Sequence, residues 1–171
     1  MTKLNDWLAL DHRLTEKATT VANTKFTRGA ATVLAHSGDS LLWLFGGVLL
    51  WRFSIGFWAH VGKRVVLITA LTWIVSTILK YFFQRPRPEG EQGLFYLKLD
   101  QHSFPSGHAV RAGGLIVALS GILPVWGTLA LFAWGIAVGV SRVVLGLHYA
   151  GDVAVGVLIG MGCGVGLTAI L

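Results

Sequence analysis

At 171 residues, with 54% hydrophobic and 13% charged residues and a mean hydropathy of +0.66, the chain is too apolar for an ordinary soluble domain or a disordered one. The formal net charge of +6 does not describe a nucleic-acid surface, because the cations gather near the ends of apolar segments instead of interleaving with aromatics along a solvated face. The composition is that of an integral membrane protein. Its apolar segments have the length of helices, so the expected class is all-α.

In chain order, residues 1–36 read as an interfacial N-terminal region. Leu4, Trp7, Leu8, Leu14, Ala18 and Val21 recur near helical spacing, while Lys3, Arg13 and Lys17 can reach water, as in an amphipathic helix lying on a bilayer. Asp6, Asp11 and Glu16, and the lack of a long apolar run, argue against a cleavable signal peptide. A crossing by residues 13–36, which would add a sixth span, is the poorer alternative because it would bury many charges. Windows of about 20 residues, the length that crosses roughly 30 Å of hydrocarbon, give five expected spans at residues 40–58, 64–83, 107–123, 125–145 and 151–171. The prediction is therefore a polytopic transmembrane helical bundle of about five spans plus an N-terminal interfacial amphipathic helix, one domain over 1–171 with its core in 40–171. Arg52, Lys63 and Arg64 flank the expected first connection. The glycines of "GDVAVGVLIGMGCGVG" suit close helix packing, and Cys163 among them, lacking a second cysteine to pair with, is a small packing residue.

Three polar blocks interrupt this pattern. "KYFFQRPRP" ends the second span, with Lys80 on its last turns and Arg85 and Arg87 where prolines force an extended chain. "FPSGHAV" opens the third span, placing Ser106, Gly107 and His108 at a helix start, where unpaired N–H groups favour an anion. "SRVVLGLHYAGD" closes the fourth span at Ser141 and Arg142 and opens the fifth around His148 and Asp152. An antiparallel path returns all three blocks to one membrane face. One cation at a span end is ordinarily an interfacial anchor, but three separated blocks meeting on one face make that reading weaker.

Several cations, a hydroxyl, a helix start and only one nearby carboxylate describe an oxyanion receptor. Two histidines add reactivity: one can be neutral and nucleophilic while the other, protonated, donates to a leaving oxygen. Asp152 lies four residues after His148, so if both are helical they share a face and the carboxylate can hold the ring.

These blocks resemble the tripartite signature of the type 2 phosphatidic acid phosphatase superfamily: Lys80, six residues, Arg87-Pro88; then Pro105-Ser106-Gly107-His108; then Ser141-Arg142, five residues, His148, three residues, Asp152. The resemblance implies a metal-independent lipid phosphatase without a cofactor, acting on a phosphomonoester or diphosphate of a lipid in the bilayer. It implies that His148 attacks phosphorus, Asp152 orients it and His108 protonates the leaving group. Lys80, Arg87, Ser106, the Gly107 amide and Arg142 would bind the phosphoryl oxygens. Other readings are a lipid phosphotransferase using the same intermediate and a non-catalytic lipid-phosphate binding protein. Family members commonly have six spans, so a five-span chain would replace the first with its surface helix. By resemblance the site lies on the extracytoplasmic face of the inner membrane. Arg85 and Arg111 either supplement the phosphate pocket or anchor the interface, and His102 reads as a loop residue. The loop between Pro88 and Pro105 is expected to be too short for a lid.

Overall fold

The structure, a computed structural model, describes residues 3–88 and 101–171, with side chains from Asn5 onward. The loop expected to be too short for a lid lies, over residues 89–100, outside the described residues. So do the side chains of Lys3 and Leu4. The described residues form seven α-helices and no strand: α1 (Lys3–Thr19), α2 (Lys25–Ser37), α3 (Ser40–Phe53), α4 (Gly56–Phe83), α5 (Gly107–Ser120), α6 (Val125–Val144) and α7 (Ala150–Ile170). A 3-10 turn, Thr20–Ala22, joins α1 to α2. Thr24 then caps α2 reciprocally with Thr27, each side chain engaging the other's backbone N–H.

α5 is the central helix. It packs most extensively on α7 and also against α4 and α6, while α3 lies along α4 and α2 along α6. Val61, Val65 and Ile68 of α4 meet Leu115, Ala118 and Leu119 of α5 in the main apolar cluster. Large apolar residues on the outer faces, among them Phe45, Trp73, Ile78, Phe132, Ile136 and Leu158, are exposed. Such an apolar exterior suits lipid rather than water.

Three helices, α4, α6 and α7, are individually long and apolar enough to cross a membrane. α2 and α3, bent by 48° at their junction, make a fourth candidate if counted as one broken span. This differs from the five expected spans. α3 and α5 each have 14 residues, about 21 Å of helix, short of the roughly 30 Å hydrocarbon thickness. The first connection also moves: the chain turns at Ser54 and Ile55, and Gly56, with φ of 57°, opens α4. Lys63 and Arg64 therefore lie inside a helix rather than at a span end. Arg64 uses its length to donate to the carbonyl of Ala118 near the C-terminal end of α5 (3.0 Å).

The α5–α7 contact depends on glycine. A Cβ on Gly160 would lie 1.9 Å from the Val110 carbonyl oxygen, and one on Gly113 would lie 2.3 Å from that of Val157. Backbones this close exclude a side chain, as in small-xxx-small packing, and Gly156, Gly160 and Gly164 repeat the contact every fourth residue. Gly160→Val is expected to lower stability in detergent by at least about 1–3 kcal/mol, the usual cost of overpacking. Gly162→Ala, at a position with nothing within 4 Å, should leave the unfolding midpoint at or above that of the parent; thermal unfolding of the two variants checks the contrast.

Candidate active site

α4 ends where Gln84 takes a left-handed backbone (φ 47°), and the two Arg-Pro pairs then run extended. Pairing with this strand-like stretch fixes the chain before α5. Ser103 N–H donates to the Arg85 carbonyl (2.8 Å) and its hydroxyl to the Pro86 carbonyl (2.9 Å). Ser106 N–H donates in turn to the Asp152 carbonyl (3.1 Å), tying the start of α5 to the start of α7. The expected convergence of the three blocks is thus built by main-chain bonds among them.

His148 sits at the centre, 1% exposed. Its Nδ1 lies 2.7 Å from the Ser103 carbonyl oxygen. A carbonyl can only accept, so Nδ1 carries the proton and the neutral ring keeps its lone pair on Nε2. Nε2 lies 3.5 Å from Arg87 Nη1, which donates to the Leu147 carbonyl (2.7 Å). Burial, followed by the positive charges of Arg142, Arg87 and Lys80, pushes the His148 imidazole well below its ordinary pKa. The ring is therefore an uncharged imidazole among cations, with its unprotonated nitrogen at Nε2.

Lys80 and Arg142 are both buried. Lys80 Nζ donates to the His102 carbonyl (3.0 Å), so His102 contributes through its backbone. Arg142 carries its carbonyl to the turn that holds His148, accepting from Leu147 N–H at 3.0 Å and His148 N–H at 3.3 Å. Ser106 is fully buried, and its hydroxyl has no hydrogen-bond partner among the described residues. A buried hydroxyl without a partner is costly, and here it stands beside the first turn of α5, whose amides from Gly107 onward precede the helical hydrogen-bond ladder. The donor set suits an oxyanion.

Asp152 is fully buried, but its carboxylate is directed elsewhere than the spacing of four suggests. Oδ2 is 3.9 Å from His148 Nδ1, beyond a hydrogen bond. It accepts instead from Tyr149 N–H (3.0 Å), while Oδ1 accepts from Arg85 Nη1 (2.7 Å). The ring's hydrogen-bond acceptor is therefore the Ser103 carbonyl, a main-chain group that no motif in the sequence marks.

Arg85, left open between pocket and anchor, belongs to the site. Its guanidinium bridges Asp152 and Asp11 (Nη2 to Oδ2, 2.8 Å) and lies 4.0 Å over the Tyr149 ring. Asp11 and Thr15 of α1 also accept from Gly151 N–H (2.8 Å) and Ala150 N–H (3.2 Å), satisfying the open start of α7. Arg111, also left open, is buried and donates to the Gly38 carbonyl and the Ser40 hydroxyl. His108 Nε2 lies 2.9 Å from Asp39 Oδ1.

The expectation of a single nearby carboxylate is thus overturned: Asp11 and Asp39 join Asp152. Asp39 had a local signal, since "HSGDS" before an apolar run has the form of a helix start. Asp11 had none.

Residues 62–171, which include all three blocks, match the sequence pattern described as the PAP2 superfamily. The lipid A 1-phosphatases of Rhizobium johnstonii and Rhizobium etli are each 30% identical over 107 residues, 58% of this chain. The chain spans less than half the length of these relatives, 43% and 46%. In fold, it resembles a transmembrane PAP2-type phosphatidylglycerolphosphate phosphatase from Bacillus subtilis, with a TM-score of 0.78 over 97% of this chain and 86% of the other at 22% identity. Aquifex aeolicus LpxE gives 0.72 over 90% and 91% at 27% identity. With a family pattern that takes in every polar block and most of the helices that bring those blocks together, the chain belongs to the PAP2 superfamily.

Proposed function

We propose that the protein is a membrane lipid phosphatase that hydrolyses a lipid phosphomonoester or diphosphate through a phosphohistidine. The observation that carries this reading is the locked tautomer of His148, which turns the Nε2 lone pair toward the Arg87 guanidinium, 3.5 Å away. In the first step Nε2 bonds to phosphorus, the P–O bond to the lipid breaks, and His108 gives a proton to the departing oxygen. In the second, water attacks phosphorus, the N–P bond breaks, and His108 takes a proton from the water, which restores both histidines. Lys80, Arg87, Arg142, Ser106 and the Gly107 amide bind the equatorial oxygens as their charge redistributes. Asp152 acts on His148 through the Tyr149 amide and the Arg85 contact.

α4, α6 and α7, with the broken α2–α3 pair, form the membrane wall around α5, which is sheathed by its neighbours and need not span the bilayer alone. α1, with Trp7, Leu8, Leu10 and Leu14 exposed, lies at the interface beside the site, on the extracytoplasmic side of the inner membrane. Lipid A carrying a 1-phosphate is the first substrate to test, since the Rhizobium relatives are lipid A 1-phosphatases.

The purified protein should release phosphate from lipid A, phosphatidic acid, phosphatidylglycerophosphate or undecaprenyl diphosphate, with activity maintained in excess EDTA. The cations that neutralise the phosphoryl group belong to the chain itself. No release from any of the four lipids would count against hydrolysis, and activity that depends on added magnesium would count against this mechanism.

A further inference from the structure

The α2–α3 junction carries an arrangement that the family signature does not include. His36 Nδ1 and His108 Nε2 each lie 2.9 Å from an oxygen of Asp39, Oδ2 and Oδ1 respectively. Side-chain exposure falls along the chain of contacts from His36 (56%) through Asp39 (23%) to His108 (7%). Asp39 occupies the N-cap position of α3, where an aspartate ordinarily accepts from the helix's own first-turn amides, yet its side chain makes no capping bond. Both carboxylate oxygens are directed to imidazoles instead.

The junction is also clamped onto α5. Arg111, one helical turn after His108, donates to the Gly38 carbonyl and the Ser40 hydroxyl, the residues on either side of Asp39. Gly38 permits the approach: a Cβ there would lie 2.8 Å from His108 Cδ2 and 2.9 Å from a Val138 methyl. The two donors of one guanidinium on α5 thus hold the residues flanking Asp39 in register with His108.

The geometry points to Asp39 as the positioning residue of the proton donor, with Arg111 as the clasp that sets it. The carboxylate accepts from His108 Nε2–H, which fixes the tautomer and leaves Nδ1 as the nitrogen that serves the leaving oxygen. Its negative charge also favours the imidazolium that gives the proton, against burial and the charges of Arg142 and Arg111, which favour the neutral ring. The inference rests on the reading of His108 as general acid and extends it to a residue 69 positions earlier in the chain.

The test compares kcat/KM on two phosphomonoesters, a short alkyl phosphate and p-nitrophenyl phosphate. The alkoxide needs a proton to leave and the nitrophenolate does not. Asp39→Asn should lower kcat/KM on the alkyl ester by about 10- to 100-fold, a share of the 10²–10⁴ that a placed proton donor contributes. On the nitrophenyl ester kcat/KM, which reports the first step alone, should be little changed. The double variant with His108→Ala should be no worse than His108→Ala alone. Asp39→Ser, which keeps a good N-cap residue, is the second variant should the first misfold. Equal losses on both esters, or no loss on either, would overturn the role of Asp39. If His108→Ala itself shows no leaving-group selectivity, the general-acid reading fails first. If His108→Ala is selective and Asp39→Asn is not, only the inference about Asp39 falls.

Discussion

His148→Ala is expected to lower phosphate release by about 10⁴-fold or more, the scale seen when a covalent nucleophile is removed, and to abolish an acid-labile phosphoenzyme. The ring is almost fully buried and is held by one carbonyl. Deleting it leaves the Ser103 oxygen without that donor, a cost of about 1–3 kcal/mol. His148→Asn is the cleaner variant, because its amide can still donate to Ser103 while offering no ring nitrogen to phosphorus. Both variants should be inactive, and the Asn variant should retain the parent's unfolding midpoint more closely. Burial and three neighbouring cations hold the wild-type imidazole neutral. A group whose pKa is depressed stays unprotonated further into acid, so nucleophile protonation should not set an acid limb of kcat/KM near pH 6.5, where a free imidazole titrates (about 6.5). Ordinary turnover by either variant would remove His148 from the chemistry.

The parts of the site legible in the sequence are those written as local blocks. Lys80, Arg87, Ser106, His108, Arg142, His148 and Asp152 stand at helix ends, and antiparallel helices return alternate ends to one face, so their convergence follows from the order of spans. Asp11 and Asp39 were not legible in this way. Their contacts arise only when α1 docks against the start of α7 and the α2–α3 break docks against α5. The hydrogen-bond acceptor of His148, the Ser103 carbonyl, is hidden from the sequence for a related reason. Spacing of four predicts which helical face a residue occupies, but His148 precedes α7 and Asp152 is in its first turn. The carboxylate accordingly serves the helix start and Arg85.

Span boundaries suffered from averaging. A window of about 20 residues cannot register a two-residue turn at Ser54 and Ile55 between apolar helices, nor separate the 14 residues of α5 from the apolar turn that follows. Lys63 and Arg64 then fall at the expected first connection, although Arg64 reaches across to α5 from within α4. The small-residue face of α7 was easier to read, because a glycine every fourth residue is a pattern local to one helix.

Arg85→Ala should cost about 3–5 kcal/mol of stability, the range for breaking a buried ion pair on one side, with a parallel loss of activity. The guanidinium joins the fully buried Asp152 to Asp11 at 2.7 and 2.8 Å. Its removal leaves the fully buried Asp152 carboxylate without its counter-charge and removes one of the ties between α1 and the start of α7. Arg85→Lys should recover only part of the loss, since an ammonium is a point charge that cannot fork between two carboxylates as a guanidinium does. Adding Asp152→Asn to Arg85→Ala separates stability from chemistry. It removes the uncompensated charge and should raise the unfolding midpoint toward that of the parent, while activity stays low because the residues that support His148 are altered. An interfacial anchor would behave differently, with Arg85→Ala shifting stability by no more than about 0.5 kcal/mol, as exposed substitutions do, and the double variant gaining nothing. Unfolding midpoints of the four proteins in one detergent, measured beside phosphate release, decide between these two roles.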